Sequence, residues 1–316
     1  MMPIQGKIVL TKKSNDAVLI GEVLIDKIYD KKSKFFENIM GGSTANISVN
    51  LKFLGQNPKF VGTVGNDSFG VDILKKLNDS GLDTKYISIS ENLTSVVEIN
   101  KSEGSPIPKF FRSSDNQIYF TKELESLIKN SKILHFSYWP LSVEPSKSTI
   151  MQSIEVAKKN NVVIGFDPNY HIDLDPLDGL SIGEILKIIG EVDIIKPSLD
   201  DSMRIFGKGL SPKEYIQKYL DLGCSLVIMT LGDKGLIASY KGEVVEMESL
   251  AKTVVDTTGA GDAFWGGFYT GIITNESIYD SLRLGLLCSA YNLKEVGAYN
   301  YFPSLEDMKK ELKIGE

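Results

Sequence analysis

The sequence predicts an α/β protein of three α/β/α layers, with a mainly parallel central sheet and a small β excursion. From residue 132 onward, short and nearly continuous apolar runs alternate with amphipathic stretches of helical period. Strands that are apolar on both sides need cover on both faces, which a parallel sheet between helices provides. Residues 84–121 break that rhythm with short alternating runs and turn residues. Residues 22–36 supply another such piece, and no internal repeat or low-complexity linker divides the chain. The expectation is one domain over residues 1–316, with a lid formed by approximately 22–36 and 84–121. A packed surface hairpin is the alternative use of the excursion.

Taken in order, Ala17 to Asp26 reads as one buried strand that turns polar at its end. Residues 43–54 read as a helix, because Ile47, Leu51 and Leu54 share a face, with Ser43 or Thr44 as its cap. Lys59 to Gly65 is a short apolar strand and Phe69 to Ser80 an amphipathic helix. In the excursion, Ser95 to Asn100 and Lys109 to Arg112 are strands joined by Gly104-Ser105-Pro106-Ile107-Pro108. Further strands follow at Ile133–Phe136, Val162–Phe166, Val192–Ile195 and Leu226–Met229, with helices at 146–160 and 212–222 between them.

Composition narrows the function. The 316 residues carry 35 Lys and Arg against 41 Asp and Glu, a net charge of -6, and no dense basic run; Lys12-Lys13 and Lys31-Lys32 are too short. Such a chain is not built for a nucleic-acid backbone. No run approaches the roughly 18 apolar residues that cross a bilayer, and Met1 to Leu10 does not read as a secretory signal. Two cysteines, Cys224 and Cys288, make no disulfide framework, so a reduced, cytoplasmic compartment is expected. His135 and His171 lack the spacing of a zinc site.

The stretch Asp256-Thr257-Thr258-Gly259-Ala260-Gly261-Asp262-Ala263-Phe264 runs into a small-residue and aromatic helix. Gly259, Ala260 and Gly261 remove bulk where a loop enters that helix. The unpaired amides of its first turn and the helix dipole make an anion site suited to phosphate. Asp262 beside it either favours the helix N-terminus electrostatically or takes a proton from a hydroxyl that attacks the phosphate. A dinucleotide fingerprint needs Gly or Ala where Phe264 stands, and no P-loop motif is present. Gly41-Gly42-Ser43-Thr44-Ala45-Asn46 is either an ordinary turn or a second ligand segment. Its glycines permit close backbone approach, and the Asn46 amide both donates and accepts towards a polyol.

Together these segments resemble the signatures of the PfkB family of carbohydrate kinases, the ribokinase-like family. Gly21-Glu22-Val23-Leu24-Ile25-Asp26 is similar to its first strand, Val61 to Gly70 to its V-G-x-D-x-x-G region, and Thr230-Leu231-Gly232-Asp233-Lys234-Gly235 to its T-x-G-x-x-G segment. The order holds from about residue 17 to 304. The resemblance implies a ribokinase-like fold in which a sugar hydroxyl attacks the γ-phosphate of ATP. It implies Asp262 as general base, Gly259, Ala260 and Gly261 as anion hole, and Thr230, Gly232 and Gly235 on the nucleotide side. Asp26, Gly41, Gly42 and Asn46 would hold the sugar. Asp256 and Thr258, with Gly297, would match a monovalent-cation site for K+.

Lys196-Pro197-Ser198-Leu199-Asp200-Asp201 stands where many members carry N-x-x-E. Ser198 would then face the nucleotide, and the shorter Asp201 would reach Mg2+ through water. This form resembles the fructokinase members. Phe166-Asp167-Pro168-Asn169-Tyr170-His171 resembles the D-P-N-x-R motif shared by fructokinases and 2-keto-3-deoxygluconate kinases, with Asn169 on the sugar. His171 in place of a bidentate Arg favours a neutral ketose, unless it lies on the surface and reads nothing. Arg112 in Lys109-Phe110-Phe111-Arg112 resembles a lid residue, covering sugar or phosphate or forming an exposed ion pair. The expected activity is an ATP-dependent fructokinase acting on the 6-hydroxyl, with 2-keto-3-deoxygluconate kinase and a silent sugar sensor as rivals. Expected partners are a small sugar and ATP, without nucleic acid or membrane; a homodimer is compatible with the family.

Overall fold

The computed structural model describes residues 4–29, 36–100, 108–170 and 180–315. Lys31-Lys32, Gly104 to Ile107 and His171 lie outside these residues.

The expected strand from Ala17 to Asp26 is two strands in two different sheets. β1 (Asn15–Ile20) lies in the large sheet, and β2 (Leu24–Tyr29) begins the small one. The break falls at Gly21 to Val23, where the side chain of Thr44 fills the space in which a Cβ on Gly21 would stand. β3 (Phe36–Gly41) returns antiparallel to β2 and delivers the chain to α1 (Ser43–Phe53). β4 (Pro58–Gly65), α2 (Ser68–Asp79) and β5 (Ile87–Ser90) follow, then β6 (Val96–Asn100) and β7 (Lys109–Phe111). The small sheet has the order β3-β2-β6-β7. β5 pairs in parallel with β4, so residues 87–90 belong to the large sheet rather than to the excursion, and 36–41 extends the small sheet.

Regular alternation then takes over: α3 (Lys122–Lys129), β8 (Ser131–Ser137), α4 (Ser146–Lys159), β9 (Val163–Asp167), α5 (Ile182–Ile189) and β10 (Ile194–Ile195). After α6 (Leu199–Phe206) and α7 (Pro212–Leu222) come β11 (Leu226–Thr230), β12 (Leu236–Tyr240) and β13 (Glu243–Met247). The chain closes with α8 (Ala260–Ile273), α9 (Ile278–Asn292) and α10 (Leu305–Glu311). The large sheet runs β13-β12-β11-β10-β9-β8-β1-β4-β5, antiparallel only where β12 joins β11 and β13.

Alternation along β1 produces the two outer layers. Val18 and Ile20 face one core with Leu127, Ile154, Ile188 and Tyr215 from α3, α4, α5 and α7. Ala17 and Leu19 face the other core, with Ile47, Ile73, Phe268 and Leu282 from α1, α2, α8 and α9. Side chains two apart share a face and neighbours do not, so one apolar run serves both layers. This is the ribokinase-like three-layer arrangement. The chain leaves β1 first towards β4 and β5, then returns past β1 to β8. Strand order therefore reverses beside β1, and a ligand crevice at the carboxyl ends of the strands is expected there. Glu22, Ser137, Asp167 and Lys196 all lie at or just past those carboxyl ends.

Candidate active site

Two helix N-termini meet over this edge. α8 starts at Gly259, which is left-handed at φ 75°; a Cβ there would sit 2.4 Å from the Cβ of Ala298. Only glycine meets both conditions without strain. No side chain caps α8; the Ala260 amide donates to the Thr257 carbonyl at 3.3 Å, and those of Gly261 and Asp262 remain for an anion. Asp262 stands in the first turn, and both its oxygens face α1: Ser43 Oγ donates at 2.6 Å and Asn46 Nδ2 at 2.7 Å. Ser43 and Asn46 are three residues apart and so share one helix face.

The cap expected of Ser43 or Thr44 is absent. Gly42 occupies the cap position of α1 at φ 112°, and a Cβ there would strike the Glu22 carbonyl oxygen at 2.4 Å. The Ser43 amide instead donates to Glu22 Oε1 at 2.8 Å, while Ser137 Oγ donates to Glu22 Oε2 at 3.0 Å. A carboxylate from the loop after β1 thus replaces a local cap and leaves the Ser43 hydroxyl for Asp262. Asp26, on β2, packs against Gly41, where a Cβ would lie 2.3 Å from Asp26 Oδ2.

Three carboxyls share this pocket. Burial raises Glu22 to about 7, against the hydrogen bonds it accepts, and the Asp262 charge raises it further. Burial and then the Asp262 charge raise Asp26 to about 7. Burial raises Asp262 to about 6; Ser43 and Asn46 pull it down, the Asp167 charge pushes it up, and Lys196 pulls it down. The Oδ1 atom of Asn46 and the hydroxyl of Tyr299 are buried with no protein partner. Polar atoms left so within a crevice are ready to meet ligand hydroxyls.

On the other side of α8, a cavity of about 420 Å3 is lined by Thr230, Gly232, Gly235, Ala260 and Gly261 together with apolar Val254, Phe264 and Leu286. The expected nucleotide-side glycines and two residues of the anion loop therefore line one cavity. Lys196, 5% exposed, reaches to 3.4 Å from where a Cβ on Gly261 would stand. Its Nζ is 2.9 Å from Asp167 Oδ2, which also accepts from Trp265 Nε1 at 2.8 Å.

The remaining expected residues fall elsewhere. Ser198 and Asp201 form a capping box on α6: Asp201 Oδ2 accepts from the Ser198 amide at 2.9 Å and hydroxyl at 2.6 Å, and Ser198 Oγ accepts from the Asp201 amide at 3.0 Å. Asp201 Oδ1 accepts from the Tyr170 amide at 2.9 Å. Both Asp201 oxygens are thus engaged with protein donors. Ser198 pairs with Thr230 across a β-bridge, next to the nucleotide cavity. Arg112 forms a buried ion pair rather than an exposed one: its Nε and Nη2 donate to Asp115 Oδ2 at 2.9 and 2.7 Å, and its guanidinium lies 4.8 Å from the Trp139 ring centroid. Asn169 is exposed just past β9, with a positive φ of 37°. Asp256 joins Thr258 to the later segment, accepting from the Thr258 amide and hydroxyl and from the Gly297 amide at 3.0 Å.

Glu22, Ser43, Asp167, Lys196 and Tyr299 escaped the sequence reading of the site. A buried strand running straight into Gly21-Glu22 was a usable signal for Glu22, and a lysine ahead of the Ser198 cap was one for Lys196. Tyr299 carries no local signal.

The fold is that of a phosphotransferase-type α/β protein, with the crevice on one side of α8 and the cavity on the other. Residues 14–305 match the model of the pfkB family of carbohydrate kinases, and the chain belongs to that family. It is 44% identical to an ATP-dependent 6-phosphofructokinase of Thermoanaerobacterium thermosaccharolyticum, over 98% of this chain and 97% of that protein. It is 30% identical to probable fructokinase-5 of Arabidopsis thaliana, covering 94% of this chain and 97% of that one. Among solved structures, the fructokinase of Halothermothrix orenii superposes with a TM-score of 0.75 at 32% identity, over 85% of this chain and 97% of that one. The fructokinase of Vibrio cholerae in fructose, ADP and calcium ion bound form gives 0.81 at 25% identity, over 93% and 98%. No helix among the described residues is long and apolar enough to cross a membrane.

Proposed function

We propose that this carbohydrate kinase phosphorylates the 6-hydroxyl of fructose, working as one catalytic unit with the small sheet as its lid. The observation that carries the reading is the placement of Asp262: in the first turn of uncapped α8, with both oxygens turned to α1. A hydroxyl bound there would pass its proton to Asp262 while its oxygen bonds to the γ-phosphorus and the bond to the ADP oxygen breaks. The amides of Gly259, Ala260 and Gly261 would receive the charge of the transferring group, and Lys196 adds a fixed cation beside them. Asp26, Gly41, Gly42, Asn46 and Asn169 are assigned to the sugar, and Thr230, Gly232, Gly235 and Ser198 to the nucleotide side.

Among the described residues no group of three or more His, Cys, Asp and Glu is arranged to hold a metal ion. Magnesium would accordingly be carried by the ATP phosphates, where it neutralises charge, with Asp201 linked through water. Asp256 and Thr258 remain the proposed K+ neighbours. A lid that closes would keep water from competing as acceptor.

The case for a neutral sugar is electrostatic. Glu22, Asp26 and Asp262 crowd the acceptor side, and the Arg112 guanidinium is committed to Asp115. With Asp262 charged, and Glu22 and Asp26 adding charge as pH rises through about 7, a sugar phosphate entering there would be repelled. The 44% identical relative named as a 6-phosphofructokinase favours a second reading, in which fructose 6-phosphate is the acceptor. The test is ATP turnover with fructose, fructose 6-phosphate, 2-keto-3-deoxygluconate and a panel of aldoses. The expected result is the highest kcat/KM on fructose. A higher value on fructose 6-phosphate would transfer the assignment to the second reading, and ATP untouched across the panel would overturn both.

A further inference from the structure

We infer that Ser43 is a positioning residue for Asp262: fixed through Glu22, its hydroxyl holds the carboxylate in the charged form that accepts the substrate proton. The inference rests on the reading of Asp262 as the base.

Four contacts make the arrangement. The Ser43 amide is spent on Glu22 Oε1, and the opposite oxygen of Glu22 is tied to Ser137 at the end of β8. Thr44 Oγ1 adds a bond of 3.1 Å to the Glu22 carbonyl oxygen, so the first turn of α1 is fastened at two successive residues. The Ser43 side chain does not cap its own helix and points to Asp262 Oδ1 at 2.6 Å. A serine at a helix start normally turns its hydroxyl to the backbone amides. Here Gly42 holds the cap position, so the Ser43 hydroxyl, one residue into the helix, is left for Asp262.

Titratable groups face Asp262 from several elements: Glu22 after β1, Asp26 on β2, Asp167 at the end of β9 and Lys196 after β10. The Tyr299 hydroxyl adds a neutral neighbour from the segment after α9. Three of the four ionisable groups are acids. The Ser43 and Asn46 donors, together with the Lys196 cation, are what keeps the Asp262 charge in place. Their roles separate during turnover. Asn46 must give up Oδ2, or share it, when a sugar hydroxyl arrives. Ser43 holds the other oxygen and can stay throughout, since each carboxylate oxygen accepts more than one bond.

The experiment is the pH dependence of kcat/KM for the sugar in the parent, Ser43→Ala, Ser43→Thr and Asp262→Asn, with thermal melts to confirm folding. Losing one charge-assisted donor should move the acid limb of Ser43→Ala upward by about one pH unit, whatever the height of its plateau. Ser43→Thr, which keeps the hydroxyl, should return the limb to the parent position. An unmoved limb, or an even loss at every pH, in a folded Ser43→Ala enzyme overturns the inference. Asp262→Asn separates the two levels: an active Asp262→Asn enzyme removes the base itself, whereas an inactive one beside an unmoved Ser43→Ala limb removes only the role of Ser43.

Discussion

Asp201 and Asp262 occupy the same place on two helices, the third residue of α6 and of α8, and do opposite things. α6 begins at Ser198, and its Asp201 folds back to close a reciprocal capping box. α8 begins at left-handed Gly259, which has no side chain to exchange with, so Asp262 turns outward to α1, and beyond Ala260, which bonds the Thr257 carbonyl, the amides of Gly261 and Asp262 stay open. One side chain at the cap position decides whether the carboxylate serves its own helix or a partner across the crevice. The capped helix end is finished structure. The uncapped one is an anion site with an acid beside it.

Exchanging the acids tests that contrast most severely. Asp262→Asn should lower turnover by about 10²- to 10⁴-fold, the usual yield of a general base, with little change in melting temperature. Asp201→Asn should show the reverse balance, a stability loss of about 1–2 kcal/mol in denaturant titration and a much smaller fall in turnover. Comparable losses of turnover would give Asp201 a direct part in the chemistry.

The next effect concerns the acid that stands in for a cap on α1. Glu22, 3% exposed, is raised from 4.5 to about 7. A carboxyl that binds its proton more tightly folded than unfolded stabilises the native state fully below about pH 4.5. That contribution falls as pH rises towards 7 and is spent above it. Stability should therefore drop by on the order of 3 kcal/mol between those limits. Glu22→Gln should flatten that part of a denaturation-versus-pH curve; an unchanged slope would assign the effect to other groups.

Gly259→Ala should cost about 1–2 kcal/mol for the left-handed backbone alone, with the Ala298 contact added. Because the loop faces the nucleotide cavity, KM for ATP should rise more than KM for the sugar. The smallest effect is expected from Ser198→Ala, about 1 kcal/mol from the lost cap, read as a shift in denaturation midpoint. A rise in KM for ATP beyond what that instability accounts for would support the nucleotide contact proposed for Ser198.

The contrast also explains what was legible in the sequence. Gly259 to Asp262 was readable because its consequences are local: small residues, a helix start and an acid all lie within one turn. Gly232 and Gly235 came from the family resemblance instead, and they line the cavity beside α8. The spacing of Ser198 and Asp201 is that of a capping box, which forms, while the family resemblance pointed to nucleotide and metal for the same two residues. Arg112 was weighed as a lid residue or an exposed ion pair, and the deciding fact, buried Asp115 three positions on, depends on how the small sheet packs. The break between β1 and β2 needed Thr44 to be placed against Gly21, and the Asp167–Lys196 pair joins the ends of two strands. Such contacts arise from topology, and no window of a few residues contains them.

The chain has two tryptophans, and the fold gives each half of the crevice one of them. The Trp265 indole is bonded to Asp167 and lies 5.7 Å below the Lys196 ammonium, so its emission senses the charge balance at the phosphate end. The Trp139 indole carries the Arg112 guanidinium and the edge of Phe110 from the small sheet, so its emission senses where that sheet sits. Substituting either indole in turn would leave a single intrinsic fluorophore, and nucleotide arrival and sheet movement could then be timed separately without attaching a dye.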